Sequence, residues 1–257
     1  MAIAGSGYVA VELAGVFRSL GSEVTVLTRK DGVLRSFDPM LRECLMDAMA
    51  ADGIEVVTRA VPLAVSGSQD AIDLETEDGR RFSGHDCLLW AVGRAAASDD
   101  LGLADAGVRT DAEGFVPTDD YQNTNVDGIY AIGDCAGGFQ FTHVANYHAG
   151  IVIRRALFRI PAKVDTGVIP WVTYTDPELA HIGLTEAQAK EQGLDHKVLR
   201  WHFKDNDRAQ AERCTSGMIK AVVSAKGDIL GCSIVAPKAG ELIQPWALAM
   251  SSKLKIK

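Results

Sequence analysis

Three small residues near the start of the chain, Gly5, Gly7 and Ala10, stand in the spacing Gly-x-Gly-x-x-Ala. The first permits a tight turn, the second lets a pyrophosphate approach the backbone, and the third permits close packing of helix on strand. That chemistry needs a strand before the turn and a helix after it, so that free N–H groups and the positive end of the helix dipole face the phosphates. The flanking sequence has both. An apolar run from Met1 leads into Gly5-Ser6-Gly7, Tyr8 to Leu20 carries apolar residues at helical spacing, and Glu23 to Leu27 reads as a second strand. Glycines also punctuate ordinary turns, and it is this βαβ setting that points to a dinucleotide.

At the end of the second strand an NAD-binding fold presents Asp or Glu to the ribose hydroxyls. Here the chain has Thr28 and Arg29, with Arg35 further on. A carboxylate would repel the 2′-phosphate of NADPH, whereas guanidinium groups give it charge-assisted, often bidentate hydrogen bonds. The reading is NADPH; the bland alternative is a solvated basic loop.

The elements that must position these residues can be followed along the chain. Asp38-Pro39 is a capping residue before a proline suited to a first turn, Leu41, Leu45 and Met49 share one helix face, and Gly53 is the stop. Ile54 to Val57 is the third parallel strand. From Val61 the pattern becomes an antiparallel meander, with Ile72, Leu74 and Thr76 alternating and Asp78-Gly79 as a hairpin turn. Cys87 to Val92 reads as a buried strand ending at Gly93-Arg94, and an alanine-rich segment to Ala106 as a crossing between domains. Ile129 to Ile132 reads as a strand entering Gly133-Asp134, His143 to Arg159 as a helix, and Pro161 to Pro170 as a linker. Strands around 171–174, 197–203, 218–224 and 229–235, with helices at 185–192 and 239–252, then suggest a separate α+β domain. Its apolar run from Ile234 to Leu248 has no evident partner inside the chain, which points to a homodimer interface.

Composition bounds the function. With 257 residues, 47% of them hydrophobic, the chain can build one large or two ordinary cores. A net charge of -8 argues against nucleic-acid or anionic-membrane partners, which reward positive patches. No apolar run reaches the roughly 20 residues of a membrane span, and Met1 opens on a strand pattern without a basic leader, so a cytoplasmic protein is expected. The cysteines, Cys44, Cys87, Cys135, Cys214 and Cys232, form neither a CxxC pair nor a ligand quartet; buried or incidental thiols and no metal site are expected.

Several of these segments carry a family resemblance. GSGYVAVELAGVFRSLGSEVTVLTRKDGVLRSFD is similar to the NADPH domain of glutathione reductase, and LLWAVGR followed by QNTNVDGIYAIGD resembles that enzyme's return into its FAD domain. FQFTHVANYHAGIVIRRALF, PWVTYTDPELAHIGLTEAQA and AGELIQPWALA look more like mercuric-reductase and dihydrolipoamide-dehydrogenase types. The chain thus resembles the pyridine nucleotide-disulfide oxidoreductase superfamily: a Rossmann-like α/β nucleotide domain, part of an FAD domain, and an α+β dimerisation domain. The resemblance implies an NADPH-binding domain at 1–94, the closing part of an FAD domain at 95–164, and a C-terminally truncated dimerisation domain at 165–257.

It also implies roles. Ser6, Val9, Glu12, Arg29, Arg35 and Gly93 take NADPH-contacting positions beside Gly5 and Gly7, and Tyr8 is the movable ring over the nicotinamide pocket. Asp134, after Gly133, bonds the FAD ribityl chain, and Thr142 lies near the flavin ring. His143 and His148 are expected to be structural. The whole enzyme would pass hydride from NADPH to FAD and on to a small-molecule disulfide or related acceptor. The family's first FAD motif, CxxxxC disulfide and C-terminal His-Glu pair do not occur here, so no catalytic residue is expected in the chain, and the isolated chain is expected to be inactive. The competing readings are a non-catalytic NADP-binding module and a flavin-free dehydrogenase. The second is disfavoured because no general acid or base stands beside the glycine turn.

Overall fold

The computed structural model describes residues 1–68 and 70–256, which form two compact units, residues 1–93 with 170 onward, and residues 94–169. In the first unit β1 (Ala2–Ala4), α1 (Tyr8–Ser19), β2 (Val24–Leu27), α2 (Pro39–Ala51) and β3 (Ile54–Val57) alternate as the sequence pattern requires. The meander follows as β4 (Pro62–Ser68), β5 (Ala71–Thr76) and β6 (Arg81–His85), paired in that order. Then β7 (Leu88–Trp90) returns to a parallel sheet of order β3-β2-β1-β7. The α2 helix begins as expected. Asp38 accepts from the Met40 amide, Pro39 fills the first turn, and Leu41, Leu45 and Met49 are buried.

Two strand expectations need correction. The Cys87–Val92 run is not buried: Trp90 is 54% and Val92 61% exposed. Its strand β7 is the sheet's edge, with a ladder partner on one side only, so an apolar composition there does not report burial. Ile129–Ile132 is not a strand either. In the second unit it finds only one isolated bridge, Tyr130 with Asn123, and an extended segment without a ladder is not a sheet member. That unit is mostly turns around a small core of Val108, Val116 and Ala131, with a 3-10 turn at Gly133–Ala136 and one long helix, α3 (Thr142–Ala156).

The C-terminal half of the first unit contributes β8 (Trp171–Thr173), β9 (Glu178–Gly183), α4 (Glu186–Glu191), β10 (His196–His202), α5 (Asp207–Glu212), β11 (Met218–Ser224), β12 (Ile229–Ala236), α6 (Ala239–Leu242) and α7 (Gln244–Ser251). Its five-stranded antiparallel sheet has the order β10-β11-β12-β9-β8. Strand β9 escaped the sequence reading for a physical reason. It is covered on both faces, Leu179 packing into one core and Ala180 with Ile182 into another, so it lacks the alternation that marks a half-buried strand. The expected helix 239–252 is broken at Ile243 into α6 and α7, the second with Pro245 in its first turn, because proline has no N–H to continue a helix.

The run Ile234–Leu248 is not unpartnered. Ile234, Val235, Ala236, Ala239 and Ile243 are fully buried within the chain, leaving Leu242 (39%) and Leu248 (66%) as its exposed large apolar members. The sheet's two faces divide the work. Ala180, Ile182, Cys232, Ile234 and Ala236 meet α6 and α7, while Leu179 and Val235 share a core with Leu41, Leu45, Val33, Leu34 and Phe37 of the N-terminal half.

On that second face the strand register lines up Lys220, Ser233, His181 and Trp171 across β11, β12, β9 and β8. His181 is fully buried between Trp171 and Phe37, with ring centroids 4.5 and 6.4 Å away. Its Nε2 lies 2.8 Å from the Gly183 carbonyl, which can only accept, so Nε2 carries the proton and Nδ1, 2.7 Å away, accepts from the Ser233 hydroxyl. Burial pulls its pKa from 6.5 down to about 4, against the opposing pull of the Gly183 carbonyl and the Asp38 charge.

A histidine held neutral in this way stabilises the fold above the unfolded value and loses that contribution as pH falls toward the folded one. The difference corresponds to about 3 kcal/mol. Urea unfolding at pH 7 and pH 4.5 should therefore show a steep acid loss in the wild type and a shallower one in His181→Gln; equal slopes would show that His181 is not the titrating group.

Candidate functional site

The glycine turn has the geometry its spacing predicts. Gly5 has φ +149°, donates to the Leu27 carbonyl at 3.0 Å, and a side chain there would meet the Ala91 carbonyl oxygen at 2.3 Å. Only glycine lets β1 turn into α1 against β7. Gly7 is the N-cap of α1, no side chain caps the helix, no acid lies in its first turn, and a Cβ on Gly7 would meet nothing within 4 Å. The helix therefore opens onto free space at its positive end, where backbone amides can receive phosphate oxygens. Ser6 and Gly5 are half-buried, Val9 is 38% exposed, and Tyr8 packs partly against the core below. Glu12 stands one turn further in, and its Oε1 accepts from the Tyr174 amide at 2.8 Å. The residue that follows β8 thus bonds α1 directly.

The second strand is followed by Thr28, which is buried and donates its hydroxyl to the Lys30 carbonyl at 2.7 Å. Arg29 and Arg35 are both exposed, and among the described residues neither guanidinium has an ion-pair partner. The loop's acid, Asp31, is held by Arg59 through two hydrogen bonds of 2.7 and 3.1 Å, and the Arg59 contact keeps its carboxyl below the usual range.

The loop itself is fastened. The Leu34 amide donates to the Ser6 carbonyl at 2.7 Å, tying the Arg35 segment to the glycine turn. Arg42 of α2 donates to the carbonyls of Val33 and Asp31, each at 2.7 Å. Arg42 was missed as a support because an arginine on an amphipathic helix reads as ordinary solvent-facing charge.

The residues of the other group lie in the second unit. Gly133 is buried with φ +69°, and a side chain there would meet the Ala145 Cβ at 2.7 Å. Its amide donates to Nδ1 of the buried His148 at 3.2 Å, so His148 braces the turn, and burial lowers its pKa and favours the neutral ring that can accept. Asp134 is half exposed and pairs with Arg94 at 3.2 Å; Arg94 also donates to the Gln140 carbonyl. Thr142 opens α3 and is exposed, and His143 stacks on Phe141 at 5.5 Å. Gly93, with φ +153°, is the last residue of the N-terminal segment of the first unit. The Leu34–Ser6 hydrogen bond thus ties the segment that carries Arg35 to the glycine turn, and Gly133, Asp134 and Thr142 lie in the second unit.

The five cysteines are all free; Cys232 is buried, and Cys87 and Cys214 are exposed. Burial raises the thiol pKa of Cys232 and, with the Asp47 charge, that of Cys44. Among the described residues no three His, Cys, Asp or Glu side chains are placed to hold a metal, and no helix is long and apolar enough to cross a membrane.

Comparison with known proteins fits this geometry. The pyridine nucleotide-disulphide oxidoreductase family model matches residues 1–149, and the dimerisation-domain model of the same family matches 169–257. The chain is 36% identical over 259 residues to a mercuric reductase of Staphylococcus aureus, covering 100% of this chain and 47% of that protein. It is 34% identical to a dihydrolipoyl dehydrogenase of Chlamydia muridarum, covering 100% of the chain and 55% of the relative.

Among solved structures, LpdA of Mycobacterium tuberculosis superposes with a TM-score of 0.92 at 25% identity, over 99% of this chain and 55% of that one. The flavoprotein disulfide reductase RclA of Escherichia coli gives 0.88 at 28% identity, over 99% and 58%. The chain spans about half the length of the curated relatives it matches. Proteins of this kind bind FAD and a pyridine nucleotide. The chain belongs to the pyridine nucleotide-disulphide oxidoreductase family.

Proposed function

We propose that the chain forms the rear half of a flavoprotein oxidoreductase that takes hydride from NADPH, passes it to FAD, and reduces a small-molecule disulfide or a related acceptor such as mercuric ion. In this reading 1–94 is the NADPH domain, 95–164 closes the FAD domain, and 165–257 is the dimerisation domain. The dinucleotide pyrophosphate lies over Gly5, Ser6 and Gly7 at the uncapped start of α1, and Val9 and Gly93 flank the nucleotide. Tyr8 and Glu12 lie on the nicotinamide side, where the Tyr174 amide fixes the Glu12 carboxylate.

Asp134, beside the braced Gly133, holds the ribityl hydroxyls, and Thr142 lies by the ring. Asp134 suits this role because it is half exposed and already oriented by Arg94. FAD, when bound, supplies the hydride-accepting ring; the chain's own residues bind, orient and shield.

The observation that carries the nucleotide assignment is the pair of exposed guanidiniums of Arg29 and Arg35, without an ion-pair partner among the described residues, where an acid would select NADH. Each contact to a 2′-phosphate contributes on the order of 1.5–3 kcal/mol. An Arg29→Ala/Arg35→Ala variant should therefore lose at least about a hundredfold in NADPH affinity while NADH binding barely changes. Fluorescence titration of both nucleotides measures this, and an equal loss for the two would contradict the assignment.

Homodimer formation is supported by the match to the dimerisation domain and by Leu199 (41%) and Trp201 (59% exposed) on the edge strand β10, with Leu248 on α7. Sedimentation across a concentration series should show a dimer that Trp201→Glu weakens. A wild-type species that stays monomeric at the highest soluble concentration would count against it.

A further inference from the structure

The register row that crosses the C-terminal sheet ends on a charge. Lys220, in the middle of the otherwise apolar strand β11, has a side chain only 7% exposed. Its ammonium lies 2.6 Å from Asp38 and 2.7 Å from Glu186. Glu186 is also bonded by Lys190 and lies 3.4 Å from Arg200, the residue paired with Lys220 on β10. Asp38 has a second task. One of its oxygens takes the Met40 amide at the start of α2, and the other takes Lys220.

The residue before it, Phe37, packs edge-on against Trp171 and His181 at 6.2 and 6.4 Å, which lie further along the same row beyond Ser233. Arg35 is two positions upstream of Phe37, on a short segment whose other end is the Leu34–Ser6 hydrogen bond. The Arg35 segment is therefore suspended between two fixed points, the glycine turn and the Phe37-Asp38 anchor in the C-terminal sheet.

We infer that Lys220, held between Asp38 and Glu186, is a positioning residue for recognition of the nucleotide's 2′-phosphate: by fixing Asp38 it sets where Arg35 presents its guanidinium. The inference rests on the reading of Arg29 and Arg35 as the 2′-phosphate ligands. Its physical basis is that a bidentate guanidinium contact tolerates little displacement, and a shift of about 1 Å in a supporting element can cost orders of magnitude in a positioned interaction. Lys220 touches neither nucleotide nor flavin in this account. Its effect should appear only in the discrimination between NADPH and NADH, because the pyrophosphate turn has its own supports in Gly5 and β7.

The test titrates the purified full chain with NADPH and with NADH for wild type, Lys220→Met, Lys220→Arg, Asp38→Asn and Arg35→Ala. The Asn variant keeps the Met40 cap, removes the charge, and leaves Lys220 paired with Glu186, so it remains informative if Lys220→Met does not fold. The expected result is that Lys220→Met and Asp38→Asn raise the NADPH dissociation constant about tenfold and leave NADH within about twofold, with Lys220→Arg regaining most of the preference. If Arg35→Ala abolishes the preference while Asp38→Asn and any folded Lys220→Met retain it, the inference falls and the 2′-phosphate reading stands. Equal weakening of both nucleotides means a merely structural role and also overturns it. If the wild type shows no preference, or Arg35→Ala leaves it intact, the 2′-phosphate reading itself fails and the inference falls with it.

Discussion

Lys220 carries a full charge into a place that water scarcely reaches, and the structure can hold it there only because two carboxylates surround it. Breaking such a buried pair by removing one partner costs about 3–5 kcal/mol, several times the worth of an exposed ion pair such as Asp31–Arg59. The arrangement also fixes geometry. Asp38 caps α2 and holds Lys220, so the start of α2 and strand β11 of the C-terminal sheet are joined through one residue. Around it Phe37, Trp171 and His181 close an apolar shell, and Leu179 and Val235 from that sheet complete the core under Leu41 and Leu45. The glycine turn, the Arg35 segment and the Glu12–Tyr174 contact are all referred to this common frame.

Much of the N-terminal half was legible in the sequence because its signals are local. A glycine with φ +149°, an Asp-Pro helix start and an Asp-Gly hairpin each impose their structure within a few residues. Three kinds of feature were not legible. Strand β9 is buried on both faces, so periodicity has nothing to report. The exposure of Trp90 depends on β7 being the sheet's edge, a property of the topology rather than of the segment. The partners of Ile234–Leu248 lie on β9 and in the helices after β12, which local pattern cannot supply.

Of the candidate site residues, Gly5, Gly7, Arg29 and Arg35 could be named from type and spacing alone, while Ser6, Tyr8, Val9, Glu12, Gly93, Gly133, Asp134 and Thr142 needed the family resemblance. The supports could not be named. Lys220 left one trace, a lone charge inside the apolar strand MIKAVVS, and its carboxylate partners are distant in sequence. His148 was expected to be structural, and its role follows from a single hydrogen bond to the Gly133 amide that no sequence pattern announces.

The chain thus pairs fastened segments with exposed side chains. Gly7 faces open space, and Arg29 and Arg35 are in water, while the segments carrying them are tied by backbone hydrogen bonds and buried anchors. A crystal structure of the chain with NADP+ tests this most directly. The account predicts the pyrophosphate over Gly5–Val9 at the start of α1, the 2′-phosphate within hydrogen-bonding distance of both Arg29 and Arg35, and the Lys220–Asp38 pair intact. A nucleotide bound at this turn with its 2′-phosphate directed away from both arginines, or bound elsewhere in the chain, would contradict it.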